Sequence, residues 1–127
     1  MGTIKTYKDL IVWQKSMKLA LLIYSITRKL PKEELYGLSA QMRRAVISIP
    51  SNMAEGYGRR SSREYRRFLN VSMGSLFELE TQLLLTKELG FVEEESYAEA
   101  ANAIDEIEAM LRALIGKLPS PLSASVP

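Results

Sequence analysis

Ala100, Ile104, Ile107, Leu111, Leu114 and Leu118 recur at spacings of 4, 3, 4, 3 and 4 residues. That is the rhythm of a helix laying one apolar stripe against a partner. Val12, Ser16, Leu19, Ile23, Ile26 and Leu30 repeat the same rhythm near the start of the chain. Strand-like alternation is nearly absent. A chain of 127 residues fits one domain, and with stripes of this kind its core has to be helix packed on helix.

The first predicted helix carries a second seam one position over, at Trp13, Met17, Ala20, Tyr24 and Thr27, with Leu21 and Leu22 adding apolar area. Its face is therefore wider than one bundle core requires, either because it serves a neighbouring copy or because this helix is the most central of a monomer. Leu30-Pro31 ends it, because proline disfavours the α conformation in the residue before it. The second helix carries Leu35, Leu38, Met42, Val46, Ile49 and Met53 on one side and closes at Gly56-Tyr57-Gly58. Lys32 to Gly37 reads either as its first turn or as a separate short turn. Pro50 lies inside it, so the carbonyl of Val46 loses its N–H partner and a bend is expected.

Ser61 followed by Glu64 has the spacing of a capping box and starts the third helix. Tyr65, Phe68, Leu69, Ser72, Leu76, Leu79 and Leu83 then share a face running toward Gly90. Ser72, Gly74 and Ser75 are small, as close backbone approach to a neighbour requires. The fourth helix starts near Glu93 to Ser96. After Leu118 the segment PSPLSASVP has too little apolar character to order and reads as a loose tail. The expectation is an all-α, antiparallel up-down four-helix bundle over residues 1–118 with a flexible tail at 119–127.

The chain has no cysteine and no histidine. Disulfides, thiolate chemistry, most zinc sites and the commonest neutral-pH base are thereby excluded. Glu78 with Glu80, and Glu106 with Glu108, do not make a di-metal site, since such bundles use Glu-x-x-His and residues two apart do not face one another. They read as exposed salt-bridge partners, and no metal or cofactor is expected. The Asn70-Val71-Ser72 triplet has the form of a glycosylation acceptor but falls mid-helix. With no signal-like opening and no apolar run near the ~20 residues a span needs, the chain reads as cytoplasmic, without a membrane partner.

Charge is unevenly written. Residues 1–67 carry fourteen basic and five acidic side chains, whereas residues 68–127 carry three and ten. The stretch SIPSNMAEGYGRRSSREYRR, from Ser48 to Arg67, is the densest part. With Arg43 and Arg44 just upstream, it brings the arginines of this region to seven, adding Arg59, Arg60, Arg63, Arg66 and Arg67, with no lysine and only Glu55 and Glu64 as acids. Arginine offers a planar fork that meets phosphate through two bonds, whereas lysine is a flexible point charge. Arg63, Arg66 and Arg67 also fall in the first two turns of the third helix, where the macrodipole disfavours cations and exposed amides favour anions. These seven arginines are the candidate nucleic-acid contacts. Pairing of some of them with the acid-rich third and fourth helices of a neighbouring copy is the other reading, and the two can coexist.

Ser48, Pro50, Ser51, Asn52, Glu55 and Gly56 form the remaining constellation. A serine needs a base to act as a nucleophile, and only Glu55 stands near. The motif therefore reads as structural: Ser and Asn satisfy the carbonyl freed by Pro50, and Glu55 pairs with an arginine. No catalytic residue is assigned.

Several blocks together resemble the four-helix-bundle family of proteins from intervening sequences in bacterial 23S ribosomal RNA genes, the S23-type proteins. They are Tyr7-Lys8-Asp9-Leu10 with Val12-Trp13-Gln14, Tyr36-Gly37-Leu38, Gln41-Met42-Arg43-Arg44-Ala45, Ser48-Ile49-Pro50-Ser51-Asn52-Met53-Ala54-Glu55-Gly56, Gly58-Arg59, and Gly74-Ser75-Leu76 with Glu78-Leu79-Glu80-Thr81-Gln82. The resemblance implies a protomer that assembles as a ring-like homopentamer, and it implies little about activity. A related branch serves as the accessory protein of diversity-generating retroelements, which partners a reverse transcriptase and binds nucleic acid. Two function classes follow: a non-enzymatic oligomeric module that displays arginines to RNA or DNA, with a protein partner such as a polymerase, and a scaffold whose charges serve its own assembly.

Overall fold

The computed structural model describes residues 3–119. Four helices make up the fold: α1 Ile11–Arg28, α2 Leu38–Tyr57, α3 Ser62–Glu88 and α4 Glu94–Lys117. No strand occurs among the described residues. Each helix packs on the next, and α4 returns to α1, so the four close a square with the longest interface between α2 and α3. The arrangement is antiparallel throughout. Tyr7, in a 3-10 turn (Tyr7–Asp9) just before α1, meets Tyr57 at the end of α2, Lys15 pairs with Glu106 across α1 and α4, and Arg66 at the start of α3 reaches the end of α4. The proposed tail at 119–127 lies outside the described residues except for Pro119.

The stripes read from the sequence are the core. Leu19 and Ile23 of α1, Met42, Ile49 and Met53 of α2, Leu69, Leu76, Leu79 and Leu83 of α3, and Ile104, Ile107 and Leu111 of α4 are all essentially sealed from solvent. Burying a side chain of this size is worth about 1.5–3 kcal/mol, so the stripes account for the fold's main driving force. The second seam of α1 is largely consumed within the protomer. Trp13, Ala20 and Tyr24 pack against the core, and Thr27 is buried with its hydroxyl donating to the Ile23 carbonyl. Met17 and Leu21 of this region remain exposed.

Four local expectations are corrected. Of the two readings of Lys32 to Gly37 the separate turn holds, as a 3-10 turn at Lys32–Glu34 before α2, but Leu35, which follows it, is 51% exposed rather than part of the α2 stripe. Ser61 caps α3 by accepting from the Glu64 amide at 3.1 Å. The return bond of a full capping box is replaced, because the Glu64 carboxylate accepts from Arg67 instead. Gly74 faces open space with nothing within 4 Å of where a Cβ would stand. Close approach to α2 is made beside it by Ser72 and Ser75.

The fourth correction concerns Pro50, which is buried within an α2 that continues to Tyr57. Asn52 Nδ2 donates to the Ser48 carbonyl at 2.8 Å and to its hydroxyl at 2.9 Å, not to the Val46 carbonyl that the proline frees. The Ser48 hydroxyl in turn bonds Ser75 of α3 at 2.8 Å. Ser72 donates to the Ile49 carbonyl at 2.8 Å. The motif around the proline thus stitches α2 to α3.

At its far end α3 closes on Gly90, the positive-φ residue of the described chain at +79°. The Gly90 amide donates to Lys87 and the Phe91 amide to Thr86, at 2.9 and 3.0 Å. This pair of bonds is a Schellman closure, which needs a residue free of the Cβ penalty.

Candidate nucleic-acid interface

The α2–α3 turn is tight because Gly56 is fully enclosed. A Cβ there would stand 2.6 Å from Phe68 Cβ and 3.3 Å from the Tyr65 carbonyl. The absent side chain lets the end of α2 lie on the first turns of α3, and this contact fixes where the arginines of the turn project.

The seven candidate arginines do not form one patch. Arg43 and Arg44 stand near the start of α2, about 22 Å along the helix axis from Arg59. Arg43 is a clamp between α1 and α2: its Nε donates to Thr27 Oγ1 at 2.8 Å and its guanidinium lies 4.5 Å from the Tyr24 ring centre. Arg44 donates to Glu78 Oε2 of α3 at 2.8 Å and also to Gln41. Nearness in sequence therefore overstated nearness in space.

Arg59, Arg60, Arg63, Arg66 and Arg67 do share one end of the bundle, in three different states. Arg66 is engaged: its guanidinium donates to the Leu118 and Pro119 carbonyls at 2.7–3.0 Å. A cation on the carbonyl end of α4 is favourable to that helix's dipole, so Arg66 ties the start of α3 to the end of α4. Arg59 pairs with Glu55 at 2.9 Å and Arg67 with Glu64 at 3.2 Å. Their guanidiniums also lie 4.9 and 4.5 Å from the centre of the buried Phe68 ring. Arg60 and Arg63 are exposed and make no hydrogen bond or ion pair among the described residues. Arg63, Glu64, Arg66, Arg67 and Asn70 line a shallow open depression at this end.

The electrostatics follow from these pairs. The hydrogen bond from Arg67 holds the Glu64 carboxyl below its ordinary pKa, assisted by the charges of Arg67, Arg59 and Arg63. The same bond raises Arg67. Burial pushes the Tyr65 phenol up, and the neighbouring Tyr57 adds to the shift. Tyr65 is therefore a neutral hydroxyl at physiological pH and not a base.

An aromatic cluster, missed in the sequence, lies on the α1 side of the same end. The Tyr7 ring stands 5.3 Å from Trp13 and 6.5 Å from Tyr57, and Tyr57 stands 6.0 Å from Tyr65, all edge to face. Tyr7 is held by a capping box in which Thr6 accepts from Lys8 and Asp9 accepts from the Thr6 amide. Thr6-x-x-Asp9 was the available signal. Ser48, Ser51, Asn52 and Glu55 do not converge on a reaction centre. Among the described residues, no group of three or more Asp or Glu side chains could hold a metal ion, and no helix is long and apolar enough to cross a membrane.

These features define an all-α bundle with one basic, aromatic-backed end. The model of the 23S rRNA-intervening sequence protein family matches residues 8–113, and the chain belongs to that family. A solved structure of a protein of unknown function from the S23 ribosomal protein family of Bacteroides thetaiotaomicron is 25% identical, over 83% of this chain and 98% of its own, with a TM-score of 0.77. No curated protein matches the chain.

Proposed function

We propose that this protein is a non-enzymatic, self-assembling binding module that holds RNA or DNA by its phosphates at the α2–α3 end. The supporting observation is the pair Arg60 and Arg63, exposed and without an ion-pair partner among the described residues, beside the N-terminal amides of α3. Unneutralised cations at a helix N-terminus oppose helix stability and suit a phosphate ligand. Arg59 and Arg67, already stacked against Phe68, can exchange a carboxylate partner for a phosphate at little conformational cost. Arg66 serves as a strut in this reading, and Arg43 and Arg44 as interhelix clamps.

Assembly is supported by two unlike apolar faces on diagonal helices. Leu21 of α1 is 73% exposed, and Val71, Phe77, Leu84 and Leu85 of α3 are exposed as well. Unlike patches on one protomer satisfy each other head to tail, and such contacts close into rings. The homopentamer that the family resemblance implies is one such ring.

The test is the affinity of the full chain for RNA and DNA across a salt series, with a triple variant Arg59→Glu, Arg60→Glu, Arg63→Glu. The variant should bind far more weakly. Its slope of log affinity against log salt should fall by about two units or more, at roughly 0.7–0.9 per lost contact. Unchanged affinity and slope, with assembly intact, would refute phosphate binding here. The acidic surplus of residues 68–127 favours a second reading, a scaffold whose arginines pair between copies. The same variant would then disperse the particle.

A further inference from the structure

Beside the basic end, between α1 and α2, Tyr7, Trp13, Met17, Pro50, Ser51 and Ala54 line an open recess of about 200 Å³. Its walls are built, not incidental. The 3-10 turn that carries Tyr7 is pinned by its capping box and by Gln14 Nε2, which donates to the Lys8 carbonyl at 2.8 Å. Trp13 is packed against the core on one side and lines the recess on the other. Pro50 contributes a surface with no N–H, and Ser51 brings one exposed hydroxyl to the rim. Two aromatic rings, a thioether and an apolar floor, with the Tyr7 and Ser51 hydroxyls and the Trp13 indole N–H among the lining side chains, suit a flat heterocycle with hydrogen-bonding atoms at its edge.

The surroundings specify what such a heterocycle is attached to. Lys8 Nζ lies 6.0 Å from the Tyr7 ring centre. Ala54 in the floor is about 8 Å along the α2 axis from Arg59. Positive charge therefore gathers at one end of the recess, where Tyr7 meets Tyr57, and a sugar–phosphate chain leaving the recess toward that end would meet it. The geometry points to a stacking seat for one unpaired base of single-stranded nucleic acid, its neighbouring phosphates held by Lys8 and the turn arginines. This rests on the phosphate reading above and adds the ligand's class: single strands, not duplexes, whose bases are already stacked and paired.

Trp13 is the sole tryptophan of the chain, so its emission reports the recess alone. The full chain is titrated with a single-stranded oligonucleotide, the same strand carrying abasic sites, and the matching duplex, following both affinity and Trp13 emission. The expected result is quenching by the intact strand. The abasic strand should bind about tenfold or more weakly, the size of one lost base stack, and neither it nor the duplex should quench. Equal binding of intact and abasic strands with unchanged emission overturns the stacking seat and leaves the arginine reading standing. Quenching by the duplex equal to that by the intact strand also overturns it. If emission follows protein concentration and ignores nucleic acid, a second copy covers the recess and the proposal fails. Absence of binding by every strand refutes the arginine reading, and the seat falls with it.

Discussion

Gly56 shows how one missing side chain sets the geometry of the basic end. Two effects oppose each other when it becomes alanine. Removing glycine from a helix gains at most about 1 kcal/mol of propensity, and less in a last turn that frays. Against this, a Cβ would meet Phe68 Cβ at 2.6 Å and Tyr65 Cδ1 at 3.1 Å, neither of them the free end of a flexible chain. Overpacking of this kind costs about 1–3 kcal/mol, so the clash wins. Gly56→Ala should lower the urea midpoint by the equivalent of about 1–2 kcal/mol. Gly58 provides the control. A Cβ there meets only the Glu55 carbonyl, at an ordinary 3.6 Å, so Gly58→Ala should leave the midpoint unchanged or raise it. Equal effects at the two glycines would mean that the hairpin yields freely and that Gly56 does not fix it.

The helices themselves were legible because each of them carries a stripe that only an α-helix keeps on one face. What lay outside the stripes was less so. Leu35 continued the α2 pattern in sequence, yet Pro31 sets up a separate 3-10 turn whose carbonyls take the amides of Glu34 and Leu35, and that rotates Leu35 out to solvent. The capping box of α3 was half right, because a nearby guanidinium competes for Glu64 better than the Ser61 amide does. The arginine cluster was read as one surface because sequence distance hides the 1.5 Å rise per helical residue. The aromatic cluster joins the start of α1, the end of α2 and the start of α3, and no periodicity links those segments.

The start of α3 also yields a pH signature. Arg67 holds Glu64 below the ordinary carboxyl pKa. A carboxyl depressed on folding contributes stability that is present above its unfolded pKa, about 4.3, and is lost as pH falls through the lower folded value. Glu64→Gln should therefore be slightly less stable than the parent at neutral pH, the gap being small because the pair is exposed. The two unfolding midpoints should converge as the solution is acidified to about pH 3. A gap that persists at acid pH would show that the Glu64–Arg67 ion pair is not its source.

For the whole molecule, the proposed assembly and the proposed nucleic-acid binding would be coupled by geometry. A lone protomer offers one basic end, and individual phosphate contacts of exposed arginines are weak and salt-sensitive. A ring repeats that end, and each further contact is made at the effective concentration set by the particle, which raises avidity by about 10²–10⁴ without any new contact. Leu21 is the side chain at which this coupling can be cut. Its exposure within the protomer means that no core contact depends on it, whereas a charge there would be desolvated in any contact with a neighbouring copy. Leu21→Asp should keep the helical content and thermal midpoint of the isolated bundle while shifting the particle to protomer mass in sedimentation. Its affinity for a long single strand should fall about a hundredfold, and that for an oligonucleotide short enough to touch one protomer should stay the same. Dispersal with undiminished binding of the long strand would show that each basic end acts alone. A particle of unchanged size would place the contact between copies elsewhere than on α1.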